Sequence, residues 1–137
     1  MNEKLQMYIN GEWINSSSSE NIEVMNPSDD SVLGIIAAGN SEDVDKAVAA
    51  AKSAFAEFSF STKEERVKIL EDIIEEYEKR SEELAKTISE EMGAPLWLSQ
   101  VAQVASGLSH FKDTLNVLKN YDFEYEKDGY LVRKEPV

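Results

Sequence analysis

The sequence predicts an α+β fold in the order two β-hairpins, three helices and one further β-hairpin. Three observations carry that reading. Two turn signals containing glycine, Asn10-Gly11 and Lys127-Asp128-Gly129, lie between short β-favouring stretches near the two ends of the chain. From Ser41 to about Asn120 the apolar residues recur at three- and four-residue steps, the helical period. At 137 residues the chain is long enough for one domain with a modest core.

Taken in order, Tyr8-Ile9 and Glu12-Trp13-Ile14 flank Asn-Gly, a pair that readily takes the positive φ angles of a type I′ turn, so a tight hairpin is expected. Residues 16–19 are four serines, read as a loop that solvates its own backbone rather than as a modification cluster. Residues 22–25 and 32–38 are apolar or β-branched around the turn formers Asn26-Pro27-Ser28-Asp29-Asp30, giving a second hairpin. Asn40 or Ser41 then caps a first helix running to about Phe58 with Val44, Ala47, Val48, Ala51 and Phe55 on one face. Ser61 with Glu64 and Thr62 with Glu65 form two overlapping capping boxes for a second helix. Its apolar face, Val67, Leu70, Ile74 and Tyr77, is renewed by Leu84, Ile88 and Met92 up to Gly93, which predicts one long helix kinked near Ser81. A third helix starts near Pro95 and carries Leu98, Val101, Ala102, Ala105, Leu108, Phe111, Leu115 and Leu118 to about Asn120. Residues 121–126 and 130–137 close the chain as a two-stranded ribbon, with Phe123 and Tyr125 alternating against Tyr130 and Val132.

Composition excludes several function classes. A formal net charge of -13 would repel phosphate backbones and anionic lipid headgroups, so neither nucleic acid nor a membrane surface is an expected partner. No apolar run approaches a membrane span and residues 1–8 lack the pattern of a signal peptide, which reads as a cytoplasmic protein. With no cysteine and His110 as the single histidine, thiolate chemistry, disulfides and histidine-rich metal sites are all ruled out. Trp13 and Trp97 are expected in the core, as aromatic residues beside strand or helical periodicity usually are. Glu75 with Lys79 and Glu82 with Lys86 are spaced for pairing one helical turn apart, so residues 71–91 read as a solvated face.

The order of short motifs carries more information than any one of them. Tyr8-Ile9-Asn10-Gly11-Glu12-Trp13 is followed by Asn26-Pro27, residues 44–51 (VDKAVAAA), Glu65-Arg66, Glu91-Met92-Gly93-Ala94-Pro95 and Arg133-Lys134-Glu135-Pro136-Val137. In this order and spacing the chain resembles the start of the NAD(P)-dependent aldehyde dehydrogenase family, from about Met7 to Val137. The resemblance implies an α/β parent fold of which this chain would hold the N-terminal hairpins, three helices and a C-terminal β-ribbon, without the Rossmann-like core. It implies that residues 1–120 belong to the cofactor-binding domain and residues 121–137 form the first ribbon of the oligomerisation domain. Members oxidise an aldehyde to a carboxylic acid with NAD or NADP, through a cysteine thiolate and a glutamate that promotes water attack.

No acidic residue of this chain matches that glutamate's motif, and no pair of its six glycines is spaced to cradle a pyrophosphate. No catalytic and no cofactor-binding residue is therefore assigned, and the chain by itself is expected to be inactive and to bind no NAD. It stops in the middle of a family motif, which reads as a truncated segment whose partners are the remainder of its own polypeptide and further copies of itself in a homo-oligomer. The one site the resemblance implies is a monovalent cation held by the Glu91 carboxylate and the backbone oxygens of Val24 and Met25, a sound choice of hard ligands. Here Glu stands where relatives more often carry Asp, and a further ligand would lie past Val137. Gln103, Ser106 and Gly107 match a strip that in relatives borders the substrate tunnel, but read as a helix-packing groove. The alternative function is a free-standing acidic helical module that binds a partner through an apolar face.

Overall fold

The computed structural model describes residues 2–137 and has the expected mixture of small sheets and helices. β2 (Gln6–Ile9) and β3 (Glu12–Asn15) pair antiparallel with Tyr8 opposite Trp13. Asn10 and Gly11 both have positive φ, 56° and 82°, as the type I′ turn requires. β4 (Asn21–Met25) and β5 (Val32–Ala37) form the second hairpin, with a register shift between Val24 and Met25 that leaves Leu33 as an extra residue on β5. A strand the sequence did not announce, β1 (Asn2–Lys4), pairs parallel to the outer side of β5, so the sheet order is β1-β5-β4.

α1 (Ser41–Phe58) begins in a complete capping box: Asn40 accepts from the Asp43 amide at 3.2 Å while the Asp43 carboxylate accepts from the Asn40 amide at 3.2 Å. The same carboxylate reaches back to the serine loop, accepting from the Ser16 hydroxyl at 2.6 Å and the Ser17 amide at 2.9 Å. Asp43 is only 3% exposed, and these three donors hold its pKa down to about 2, with the Ser16 hydroxyl as the largest cause. The apolar side of α1 does not find a core: Val44, Val48, Phe55 and Phe58 are all exposed.

The predicted long helix is two helices. α2 (Lys63–Lys79) starts at Thr62, whose box with Glu65 prevails over the overlapping one at Ser61. The break falls at Arg80 (φ −104°, ψ 11°), and α3 (Ser81–Met92) follows. Two local bonds account for it: the Ser81 hydroxyl donates back to the Tyr77 carbonyl at 3.0 Å, a bond that bends helices, and Arg80 grips the Glu83 carboxylate through Nε and Nη2 at 2.9 and 2.8 Å. Lys79 pairs with Glu75 as expected, whereas Lys86 faces Glu90 instead of Glu82.

The last helical stretch is interrupted in a different way. A single turn, α4 (Leu96–Leu98), runs into a π-helical turn at Ser99–Val104 and then α5 (Ala105–Asn120). The π turn changes which residues point inward: Ser99 and Val104, five apart, are buried, while Val101, expected on the apolar face, is 65% exposed. α5 runs antiparallel along α2, with Lys112 to Glu78 at 2.6 Å and Lys119 to Glu71 at 2.7 Å. Ile74, Ala85 and Val104 are the buried apolar residues among those described, so the core is the seam where α2, α3, the π turn and α5 meet. Trp13 and Trp97 lie outside it, 65% and 62% exposed, contrary to expectation. Trp13 packs instead against its cross-strand neighbour Tyr8, and Trp97, on α4, is left in solvent.

The closing ribbon is shorter than predicted, β6 (Glu124–Lys127) and β7 (Tyr130–Arg133) around a two-residue turn with positive φ at Asp128 and Gly129. Its base is tied to the helices by Arg66, whose guanidinium lies 4.7 Å from the Phe123 ring centroid.

The Asp43 carboxyl titrates near 2 in the folded chain against an ordinary 3.8, so its stabilising contribution is present above pH 3.8 and lost as the pH falls toward 2. Urea midpoints followed by circular dichroism should drop across that window in the wild type. Asp43→Asn should be less stable at pH 7 and show a shallower acid drop.

Candidate cation site

Two of the three residues that the family resemblance singles out, Val24 and Glu91, line a cleft between the β1-β5-β4 sheet and α3. Lys4, Val24, residues 33–36, Glu83, Thr87, Glu90 and Glu91 line its roughly 310 Å³. Val24 reaches it from the end of β4, next to the bulge, and Glu91 from the last turn of α3. Val24 and Glu91 are thus brought to one cleft. Met25 is not among its lining residues and is 42% exposed.

Two local devices set this juxtaposition. The Asn26-Pro27 turn is closed by Asn26, whose side chain accepts from the Ser28 amide at 2.9 Å and whose amide donates to the Ser31 carbonyl at 2.8 Å. That turn then rests on the C-terminus of α3. Gly93 caps the helix in the left-handed region (φ 69°), and a Cβ there would lie 3.0 Å from Pro27 Cγ and 3.2 Å from the Ser28 hydroxyl. The Ser89 hydroxyl completes the cap by donating to the Ala94 carbonyl at 2.7 Å.

The electrostatics of the cleft are mixed. Three of its side chains are carboxylates, yet the Arg80 fork holds Glu83 below the usual carboxylate range, and Lys86 stands 3.9 Å from Glu90. Lys4 adds a positive charge that sequence reasoning missed. A three-residue polar strand paired in parallel to a distant segment leaves no local signal. Glu91 is exposed, and among the described residues no group of three or more His, Asp or Glu is arranged to hold a metal ion. The register shift between Val24 and Met25 interrupts the regular ladder beside the cleft.

The profile of the aldehyde dehydrogenase family matches residues 13–137. A provisionally named aldehyde dehydrogenase of Staphylococcus haemolyticus is 45% identical over 132 residues, which cover 96% of this chain and 28% of that protein. A similarly named protein of Staphylococcus aureus is 44% identical over 137 residues, 100% of this chain and 29% of its own. Among solved structures, the aldehyde dehydrogenase of Bartonella henselae superposes with a TM-score of 0.92 at 39% identity, over 95% of this chain and 28% of that one. A mutant of aldehyde dehydrogenase C from Pseudomonas syringae, complexed with NAD+ and octanal, superposes at 0.88 with 36% identity, over 92% of this chain and 26% of that one. The chain belongs to the aldehyde dehydrogenase family and spans under a third of the length of these relatives.

Gly93→Ala tests how the cleft is assembled. The substitution forces a left-handed residue with a side chain against Pro27, and should cost about 1–2 kcal/mol in urea unfolding. Amide exchange should quicken together in the turn at residues 26–31 and in the last turn of α3.

Proposed function

We propose that this chain is the N-terminal segment of an NAD(P)-dependent aldehyde dehydrogenase, and that it turns over no aldehyde by itself. The observation that carries the reading is the family match over residues 13–137 in a sequence without a cysteine. Aldehyde oxidation in the family proceeds by thiolate attack and hydride transfer to the nicotinamide, and this chain supplies neither the nucleophile nor a glycine-rich phosphate turn. NAD+ and an aldehyde are bound by the Pseudomonas syringae relative, which supports NAD or NADP as the cofactor of the longer enzyme. Among the described residues no helix is long and apolar enough to cross a membrane, in keeping with a cytoplasmic enzyme.

In this reading residues 1–120 contribute to the cofactor-binding domain, and the ribbon at 121–137 belongs to the oligomerisation domain. The exposed Val44, Val48, Phe55, Phe58 and Phe60 are the surface that the remainder of the polypeptide covers. The cleft takes a monovalent cation at the Glu91 carboxylate and the Val24 carbonyl, Met25 lying outside its lining; Lys4 makes the site weaker than an all-oxygen cage.

Mixing the chain with NAD and a panel of short and aromatic aldehydes should give no rise in NADH absorbance, and calorimetry should give no heat of NAD binding. Steady NADH production, or a micromolar Kd, would overturn the reading.

Assembly supplies a second test. The ribbon carries unpaired edges and α1 an uncovered apolar side, so sedimentation across the micromolar range should show dimers or larger species despite a charge of -13 per chain. A single monomer species at every concentration would show instead that the segment keeps its faces in water unaided.

A further inference from the structure

The π turn at Ser99–Val104 lies between two tertiary anchors. On its N-terminal side it packs on α3, where Ser99 and Ala85 are both fully buried, and the Ser99 hydroxyl has no partner there. A sealed, unbonded hydroxyl does nothing to favour the wider turn. On the C-terminal side, Tyr77 of α2 donates its phenolic hydrogen to the Val104 carbonyl at 3.0 Å. Its ring lies against Phe111, with centroids 5.8 Å apart. The hydroxyl also lies over the bare backbone of Gly107, where a Cβ would come within 2.4 Å of it.

An α-helix free of tertiary demands has no reason to insert the extra residue of a π turn, whose hydrogen bonding is poorer. Here the two anchors fix both ends, five residues apart, and the turn between them takes up the mismatch. We propose that Tyr77 is a phase clamp: its bond to Val104 over Gly107 keeps Ser99–Val104 in the π form, and releasing it lets the turn relax to α. Relaxation moves the stretch by one residue relative to α5, which turns its side chains through about 100°. The exposed Gln100, Val101 and Gln103 would then leave the outer face they now occupy. The position of α2 thereby decides which side chains the π turn presents to solvent.

Tyr77→Phe removes the hydroxyl and keeps the ring on Phe111. Trans-hydrogen-bond scalar couplings in the labelled 137-residue chain read the register directly. In the wild type, amides of the π turn should couple to carbonyls five residues back, and in Tyr77→Phe to carbonyls four residues back. Amide exchange across residues 100–108 should also rise on the order of fivefold. Gly107→Ala, which pushes the hydroxyl away, should give the same couplings as Tyr77→Phe. Five-residue couplings that persist in both variants would overturn the proposal. A second reading comes from the wild type alone: the Tyr77 hydroxyl proton should exchange slowly enough to be seen and show a cross-peak to the Gly107 backbone. If it exchanges with water too fast to detect, no clamp exists and the idea fails irrespective of how the variants fold.

Discussion

Asp43 sits where the strand-rich beginning of the chain becomes helical, and its carboxylate accepts from the amides of Asn40 and Ser17 and the hydroxyl of Ser16. Through the first it starts α1; through the other two it draws the serine loop after β3 onto the helix. Few other contacts join these parts. The apolar side of α1 is in water and only a handful of residues of α1 approach β2. A short carboxylate is well suited to this place, because it can satisfy several donors at once and the helix N-terminus favours its charge. The serine run, which looks like filler in the sequence, supplies two of the donors.

How much of this was legible depended on how local the cause was. Both tight turns were readable because Asn10-Gly11 and Asp128-Gly129 carry their geometry in two adjacent residues. The box at Thr62 was readable for the same reason, although only the fold chose it over Ser61. The parallel pairing of β1 was not, since its partner lies some thirty residues away and Asn2-Glu3-Lys4 has no strand pattern. The π turn was hidden by a periodicity that looked unbroken: Leu98, Val101, Ala102 and Ala105 fit a 3.6-residue period, and only packing on α3 and α2 shows that the inward pair is Ser99 and Val104. Trp13 and Trp97 were misjudged because residue type was taken as a proxy for burial, while so small a core leaves large rings outside.

The cleft is a case of partial legibility. The motif order named Val24, Met25 and Glu91, and two of the three do line one depression. The names alone did not disclose the means, a glycine at the end of α3 on which a proline turn can rest, nor the lysine that β1 brings alongside.

The two cross-helix pairs, Glu78 with Lys112 and Glu71 with Lys119, are each seven residues apart on their own helix and so fall on matching faces. Such spacing suggests a ruler, but a slide of one turn would lose only one pair, because Glu75 would then meet Lys112 or Lys119 according to the direction of the slide. Exposed pairs of this sort contribute at most about 1 kcal/mol each. Charge therefore brings α5 to α2 and specifies only weakly where along it to stop. An uncharged contact lies on the same seam, one phenol against one residue without a side chain. That contact is one that salt cannot screen, and exchanging Asp for Glu among the exposed carboxylates would leave it untouched.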